Sequence, residues 1–198
     1  ELIRGTDTPV FWREKIGVRY FRADQALDVL KEPSKMIFCF RNEEKFTYNA
    51  EVKNGEESST VELYGQFFAP LVSDPVIAVI GKKLHYFNDV DEKKLTPFFR
   101  KNLIEVPERS VPAYIRGFVL QCVKNYDVKS EGISIFEQKH TPFALLILET
   151  DFDLEPVLSL RFQYGTRRFS IDNPYGKEAE LAEENGELSI GWFFRDKE

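Results

Sequence analysis

Four carboxylates, Glu149, Asp151, Asp153 and Glu155, alternate along the stretch ETDFDLEP. In a strand they would share one face, an arrangement that could hold a divalent cation for metal-dependent hydrolysis. Four like charges on one strand repel without a cation, and Pro156 follows at once, so the stretch also reads as a solvated loop joining two apolar strands. Asn88, Asp89, Asp91 and Glu92 resemble a calcium loop but lack its glycine and distal glutamate, which favours a loop again. A zinc site would have to gather His85, His140, Cys39 and Cys122 from separate elements. Both cysteines sit in apolar contexts, IFCF and VLQCV, and read as small buried hydrophobes. Cys122 on the apolar face of a helix makes a poor nucleophile. No phosphate-binding glycine motif occurs, and Gly81-Lys82-Lys83 reads as a hairpin turn. No catalytic residue, metal or cofactor is expected.

Basic side chains form three clusters: Arg13, Lys15, Arg19 and Arg22; Lys93, Lys94, Arg100 and Lys101; and Arg161, Arg167 and Arg168. The second is interleaved with Phe98 and Phe99, a combination suited to gripping phosphates and stacking on bases. The last two clusters are the candidate contacts for nucleic acid or for a partner. A net charge of −6 argues against a surface that coats nucleic acid. That charge is uneven: residues 176–198 carry −4 of it, leaving −2 for the first 175.

The elements that must position these groups follow from periodicity. In VLSLRFQYGTRRFSIDNP, Leu158, Leu160, Phe162 and Tyr164 alternate with polar residues, and Phe169 and Ile171 resume the pattern after Gly165. This is a hairpin with a half-buried face, turning where Gly165 can take a positive φ. Asn54-Gly55 marks another hairpin and Gly81-Lys82 a third. Lys35–Arg41 is an apolar strand, and 128–138, 143–150 and 188–195 also read as strands. Tyr114, Phe118, Val119 and Cys122 define the main helix, about 110–126, with Ser110 as N-cap. Residues 23–32 carry apolar positions near helical spacing and end at Pro33, which predicts a short helix. Residues 89–102 read as loop with at most a helical turn, and 176–186 as acidic helix or loop.

The fold class is therefore α+β, a mostly antiparallel sheet built from hairpins with one main helix and one short one. A β-rich half, 1–105, precedes a helix-plus-meander half, 106–198, within what is either two domains or one continuous one. Two cysteines at this length favour a reducing, cytoplasmic setting, and the apolar runs are too short to cross a bilayer. Opening on Glu1 and closing on RDKE after a strand-like run, the chain reads as a piece of a longer one.

Two stretches carry a resemblance. IEVPERSVPAYIRGFVLQCVKNYDVKSEG, residues 104–132, passes from a proline into one helix and then a strand. LSLRFQYGTRRFSIDNP is followed after a spacer by FFRDKE. Together they resemble the N-terminal accessory region of bacterial Swi/Snf-type helicase-like ATPases, over roughly residues 100–198. The resemblance implies a non-catalytic, helicase-associated module, with ATP hydrolysis in a motor downstream of residue 198. Its partners would be that motor, DNA or another protein, with no membrane involved. It supplies no catalytic residue for these positions. Two readings from other classes stand beside it: a stand-alone protein-interaction or ligand-binding domain with an open apolar surface, and a metal-dependent hydrolase using the 149–155 carboxylates.

Overall fold

A computed structural model describes residues 9–13, 22–54, 60–174, 176–184 and 187–195. Lys15, Arg19, most of the turn after Asn54 and the terminal Asp196–Glu198 lie outside them. The protein is α+β and mostly antiparallel, with one main helix. It forms two compact units: Glu1–Cys122 with Tyr126–Ile133, and Val123–Asn125 with Ser134–Glu198. Most of the main helix thus belongs with the first unit. Among the described residues no helix is long and apolar enough to cross a membrane.

The first unit contains two five-stranded sheets. One sheet runs β1 (Val10–Phe11), β2 (Ala26–Val29), β8 (Lys83–Tyr86), β7 (Val76–Ile80), β6 (Phe68–Ser73). The second is built on the hairpin of β3 (Lys35–Asn42) and β4 (Phe46–Lys53). β10 (Asp127–Glu131) joins β3 in parallel, while β5 (Thr60–Glu62) and β9 (Ile104–Glu105) pair with β4. Met36 to Phe40 are all buried, which is why this strand reads as one continuous apolar run rather than an alternation.

The main helix, α2, covers residues 111–125 without a break. Its middle turn, Ile115–Val119, is π-helical, with the Leu120 N–H reaching the Ile115 carbonyl. Ile115, Val119 and Cys122 form its buried stripe. Phe118 meets Phe38, Phe40 and Tyr48 at centroid distances of 5.4–6.1 Å. The Tyr114 hydroxyl donates to that of Tyr48 at 2.6 Å. Ser110 makes no side-chain cap, because the 3-10 turn Glu108–Ser110 leads straight into the helix.

Four elements differ from the sequence expectation. The single strand expected over 128–138 is two, β10 and β11 (Ser134–Glu137), separated at Gly132, which takes φ 71°. The short helix over 23–32 is replaced by one 3-10 turn, Ala23–Gln25, and strand β2. Ten residues make a marginal helix, whereas the edge of β8 offers ladder bonds. The Asp28 and Leu30 N–H groups donate to the carbonyls of Lys82 and Leu84 at 3.0 and 3.2 Å. The loop reading of 89–102 gives way to helix α1 (Glu92–Arg100), capped by the Asp91 carboxylate on the Lys94 N–H at 3.0 Å. Residues 176–184 form neither helix nor loop but strand β15 (Gly176–Glu184), in register with β16 (Glu187–Arg195).

The second unit holds two three-stranded sheets. One runs β11 (Ser134–Glu137), β16, β15. The other runs β12 (Phe143–Thr150), β13 (Pro156–Tyr164), β14 (Arg167–Ser170).

His85 is buried in the first unit, with Nδ1 2.9 Å from the Ser34 hydroxyl. Burial first, then the nearby Lys83 charge, pushes its pKa down to about 4 from 6.5. The unfolded chain therefore takes up this proton before the folded one. The contribution of neutral His85 is fully present above pH 6.5 and is lost as pH falls towards 4, at up to ~1.4 kcal/mol per unit. Urea unfolding at pH 7, 6 and 5 should show this slope, and His85→Gln should flatten it.

Candidate functional site: an exposed apolar hairpin

β12 and β13 pair along their full length, from Phe143 opposite Gln163 to Thr150 opposite Pro156. Gly165, at φ 57°, makes the turn into β14. At this base the hairpin is anchored. Tyr164 stacks on Phe193 at 5.6 Å, and Phe169 stands edge-on to both at 6.0 and 6.5 Å. The Arg195 guanidinium lies 4.0 Å from the Phe169 ring centre, and that of Arg167 lies 4.9 Å away on the same ring.

Glu178 on β15 collects the charges around this stack. Its buried carboxylate meets Arg167 at 3.2 Å, Arg195 at 3.4 Å and Lys124 at 3.1 Å. Arg195 is itself buried and also donates to the Pro174 carbonyl. A buried carboxylate with several cationic partners is stable where a lone one would not be.

Beyond the base the hairpin leaves the protein interior. Ala144, Leu146, Leu148, Leu158, Leu160 and Phe162 fall on one face of the two strands by register. Leu146, Leu148 and Leu158 are 68, 73 and 60% exposed, and Phe143 on the opposite face is 63% exposed. At the tip, Phe152 is fully exposed and Leu154 81% exposed. Taking about 200 Å² for a large apolar residue, these side chains with Val157 present on the order of 900 Å² to solvent. That sum runs over both faces and the tip, with Leu146, Leu148 and Leu158 on one face and Phe143 and Val157 on the other.

The tip is ordered rather than loose. Asp151 Oδ1 accepts the Asp153 and Glu155 N–H groups, each at 2.9 Å, and the Asp151 N–H donates to the Glu155 carbonyl at 3.0 Å. Leu154 is held at φ 63°, a conformation strained for a branched side chain.

The alternating carboxylates are accounted for by this geometry. Glu149 pairs with Arg161 across the strands at 2.6 Å, and Asp151 caps the tip backbone. Among the described residues no three His, Cys, Asp or Glu side chains converge as metal ligands. Cys39 and Cys122 are buried thiols, and burial pushes both up to about 12.

The basic candidates separate into different surroundings. Arg161 and Arg167 are paired with Glu149 and Glu178, and Arg168 donates to Gln163 at 3.1 Å. Lys93, Lys94 and Arg100 belong to α1, with Lys101 as its C-cap. Lys94 pairs with Asp91 at 3.3 Å, and its contacts with Tyr126 and Asp91 raise its pKa. Lys93 and Arg100 line an open groove of about 790 Å³ whose other charged walls are Asp74, Asp91 and Glu92. Its charge is mixed, not uniformly basic. Phe98 and Phe99 are not free for base stacking. Phe98 is buried against Phe38 and Tyr48, and Phe99 stacks on Phe68 at 4.1 Å.

The hairpin itself was visible as strands; its exposure was not, since alternation implies one covered face. The signal in the sequence is β12 itself, where FALLIL lacks the polar alternation of a strand with one wet face.

Removing the Glu178 charge leaves buried Arg195 without its carboxylate. Glu178→Gln is expected to lower the stability of the second unit by about 3 kcal/mol, read by chemical denaturation, while Glu149→Gln at the exposed pair changes it by less than about 1 kcal/mol. Compared with known proteins, the chain matches no family model, no curated protein and no solved structure, so its functional reading rests on its own geometry.

Proposed function

We propose that this chain is a non-catalytic interaction module that docks on a protein through the β12–β13 hairpin. The observation that carries the reading is the ribbon of apolar side chains exposed along β12, β13 and their ordered tip. A two-stranded ribbon is at best marginally stable alone in water, and this one buries little of its own apolar surface. A partner covering one face and the tip would remove Leu146, Leu148, Leu158, Phe152 and Leu154 from water, the main driving force of protein association. Asp151, Asp153 and Glu155 surround the tip with negative charge, which disfavours nucleic-acid phosphates and anionic lipid there. A protein surface is the partner that fits.

The resemblance to the accessory region of Swi/Snf-type ATPases gives this docking one setting, in which the partner is the motor of the same polypeptide. In that setting Lys93, Lys94, Arg100 and Lys101, and Arg161, Arg167 and Arg168, would supply secondary contacts to DNA or to the motor.

A photo-crosslinking amino acid at Leu148 or Leu158 is expected to give protein adducts in cells, and the same group at Lys31, on the first unit, none. Replacing Leu146, Leu148 and Leu158 together with serine should abolish the adducts and leave the melting temperature within a few degrees, because these side chains are already in water. Absence of adducts from both hairpin positions contradicts the reading.

A further inference from the structure

The two faces of the β12–β13 ribbon differ. On one, the cross-strand pairs Leu148–Leu158, Leu146–Leu160 and Ala144–Phe162 succeed one another without a polar side chain. The other carries Glu149, Ser159, Arg161 and Gln163. Leu160 and Phe162 are half-buried, and Phe162 packs against the core of Tyr164, Phe169 and Phe193. The apolar face is thus the outward continuation of that core, and Leu146, Leu148 and Leu158 are the part of it left in water. A strand added to the edge of the sheet would leave this face bare, so its occupant must lie on the face itself.

We infer that this face takes a basic amphipathic helix of a partner protein, laid along the ribbon with lysine or arginine at the end that reaches the tip. This rests on the docking role of the hairpin and names the chemistry of its partner. Dimensions select the helix. Two strands about 4.8 Å apart, with their side chains, make a ribbon about as wide as one helix of about 10 Å. A second sheet would overhang it on both sides. Successive pairs on the face are about 6.7 Å apart, close to the helical pitch of about 5.4 Å, so each pair meets about one turn. From Ala144 to Phe152 the ribbon runs about 26 Å, the length of about 18 helical residues.

Charge selects the sign. From Glu149 to Arg161 the chain carries four carboxylates and one guanidinium. Arg161 is engaged by Glu149 at 2.6 Å, and Asp151 accepts from the tip backbone. Asp153 and Glu155 form no ion pair among the described residues. They flank Phe152 and Leu154, the two most exposed apolar side chains of the ribbon. A partner that covers these two side chains also takes water from the neighbouring carboxylates. Cations on that partner offset the loss, whereas an uncharged or acidic helix leaves it uncompensated.

The test titrates the 198-residue chain with amphipathic peptides of about 18 residues, each with one leucine stripe and with lysine, glutamine or glutamate elsewhere, at about 0.15 M salt. The leucine–lysine peptide is expected to bind about tenfold more tightly than the leucine–glutamine one, and the leucine–glutamate peptide not to bind. Asp153→Asn with Glu155→Gln should bring the first affinity down to the second. Replacing Leu146, Leu148 and Leu158 together with serine keeps every charge and should abolish binding, which separates docking from the general attraction of a chain of net charge −6 for a cation. A photo-crosslinking group at Leu148 should join the leucine–lysine peptide, and one at Val157, on the opposite face, should not. Equal affinity for the three peptides, binding that survives the three serines, or no binding of the leucine–lysine peptide overturns the inference. Sedimentation with phosphatidylcholine vesicles in place of peptide binding puts a neutral lipid surface on the face and overturns it too. A chain that fails to bind the peptide yet gives hairpin adducts with a protein in cells refutes the basic helix alone; one that does neither refutes the docking role as well.

Discussion

The second unit depends on one buried carboxylate. Glu178 holds Arg167, Arg195 and Lys124 together, and two of those cations lie against the Phe169 ring. Phe169, Tyr164 and Phe193 come from β14, β13 and β16, so this cluster fastens the hairpin sheet to the β11–β16–β15 sheet. A core of three rings is small, and charge-assisted bonds around it supply the rigidity that apolar burial alone would not. The arrangement concentrates the unit's order at the base of the hairpin and frees the rest of β12 and β13 to project.

That projection sets a physical problem that the remaining features address. An apolar ribbon in water invites indiscriminate association, yet every other sheet edge among the described residues is short, bulged or charged. Among them β12 alone keeps a long apolar edge without such protection. The tip is as exposed. Asp151 fixes a backbone in which Leu154 takes a left-handed conformation and Phe152 stands fully in solvent. The first unit shows the opposite pattern, burying the aromatic residues Phe38, Phe40, Tyr48 and Phe98 and packing half-buried Phe118 against Phe38 and Tyr48.

Much of this fold was legible in the sequence because its signals are local. Alternation from Leu158 to Tyr164 and the glycine at 165 gave the hairpin, and the spacing of Tyr114, Phe118 and Cys122 gave the main helix. The misreadings arose where a neighbour decided the outcome. Residues 26–29 became a strand through bonds to β8, a partner more than fifty residues away. Pro97 disguised α1, although Asp91 ahead of Leu95 and Phe98 marks a capped amphipathic helix. The acidic run of β15 looked unfit for a sheet until Glu178 found its three cations. The candidate site was half legible. Its strands were plain, but alternation could not reveal that the face remains uncovered. The basic clusters were visible as charges and not as the ion pairs that occupy Arg161 and Arg167, since those pairs depend on register and sheet packing.

The most direct measurement of the central claim is hydrogen exchange at the amides of residues 143–150, followed on the chain alone and again with a partner bound. The account requires that part of this strand exchange quickly in the chain alone, its outward N–H groups facing water, and become protected when a partner covers the hairpin. Protection equal to that of β3, unaffected by the partner, would mean that the hairpin is already covered and would contradict the account.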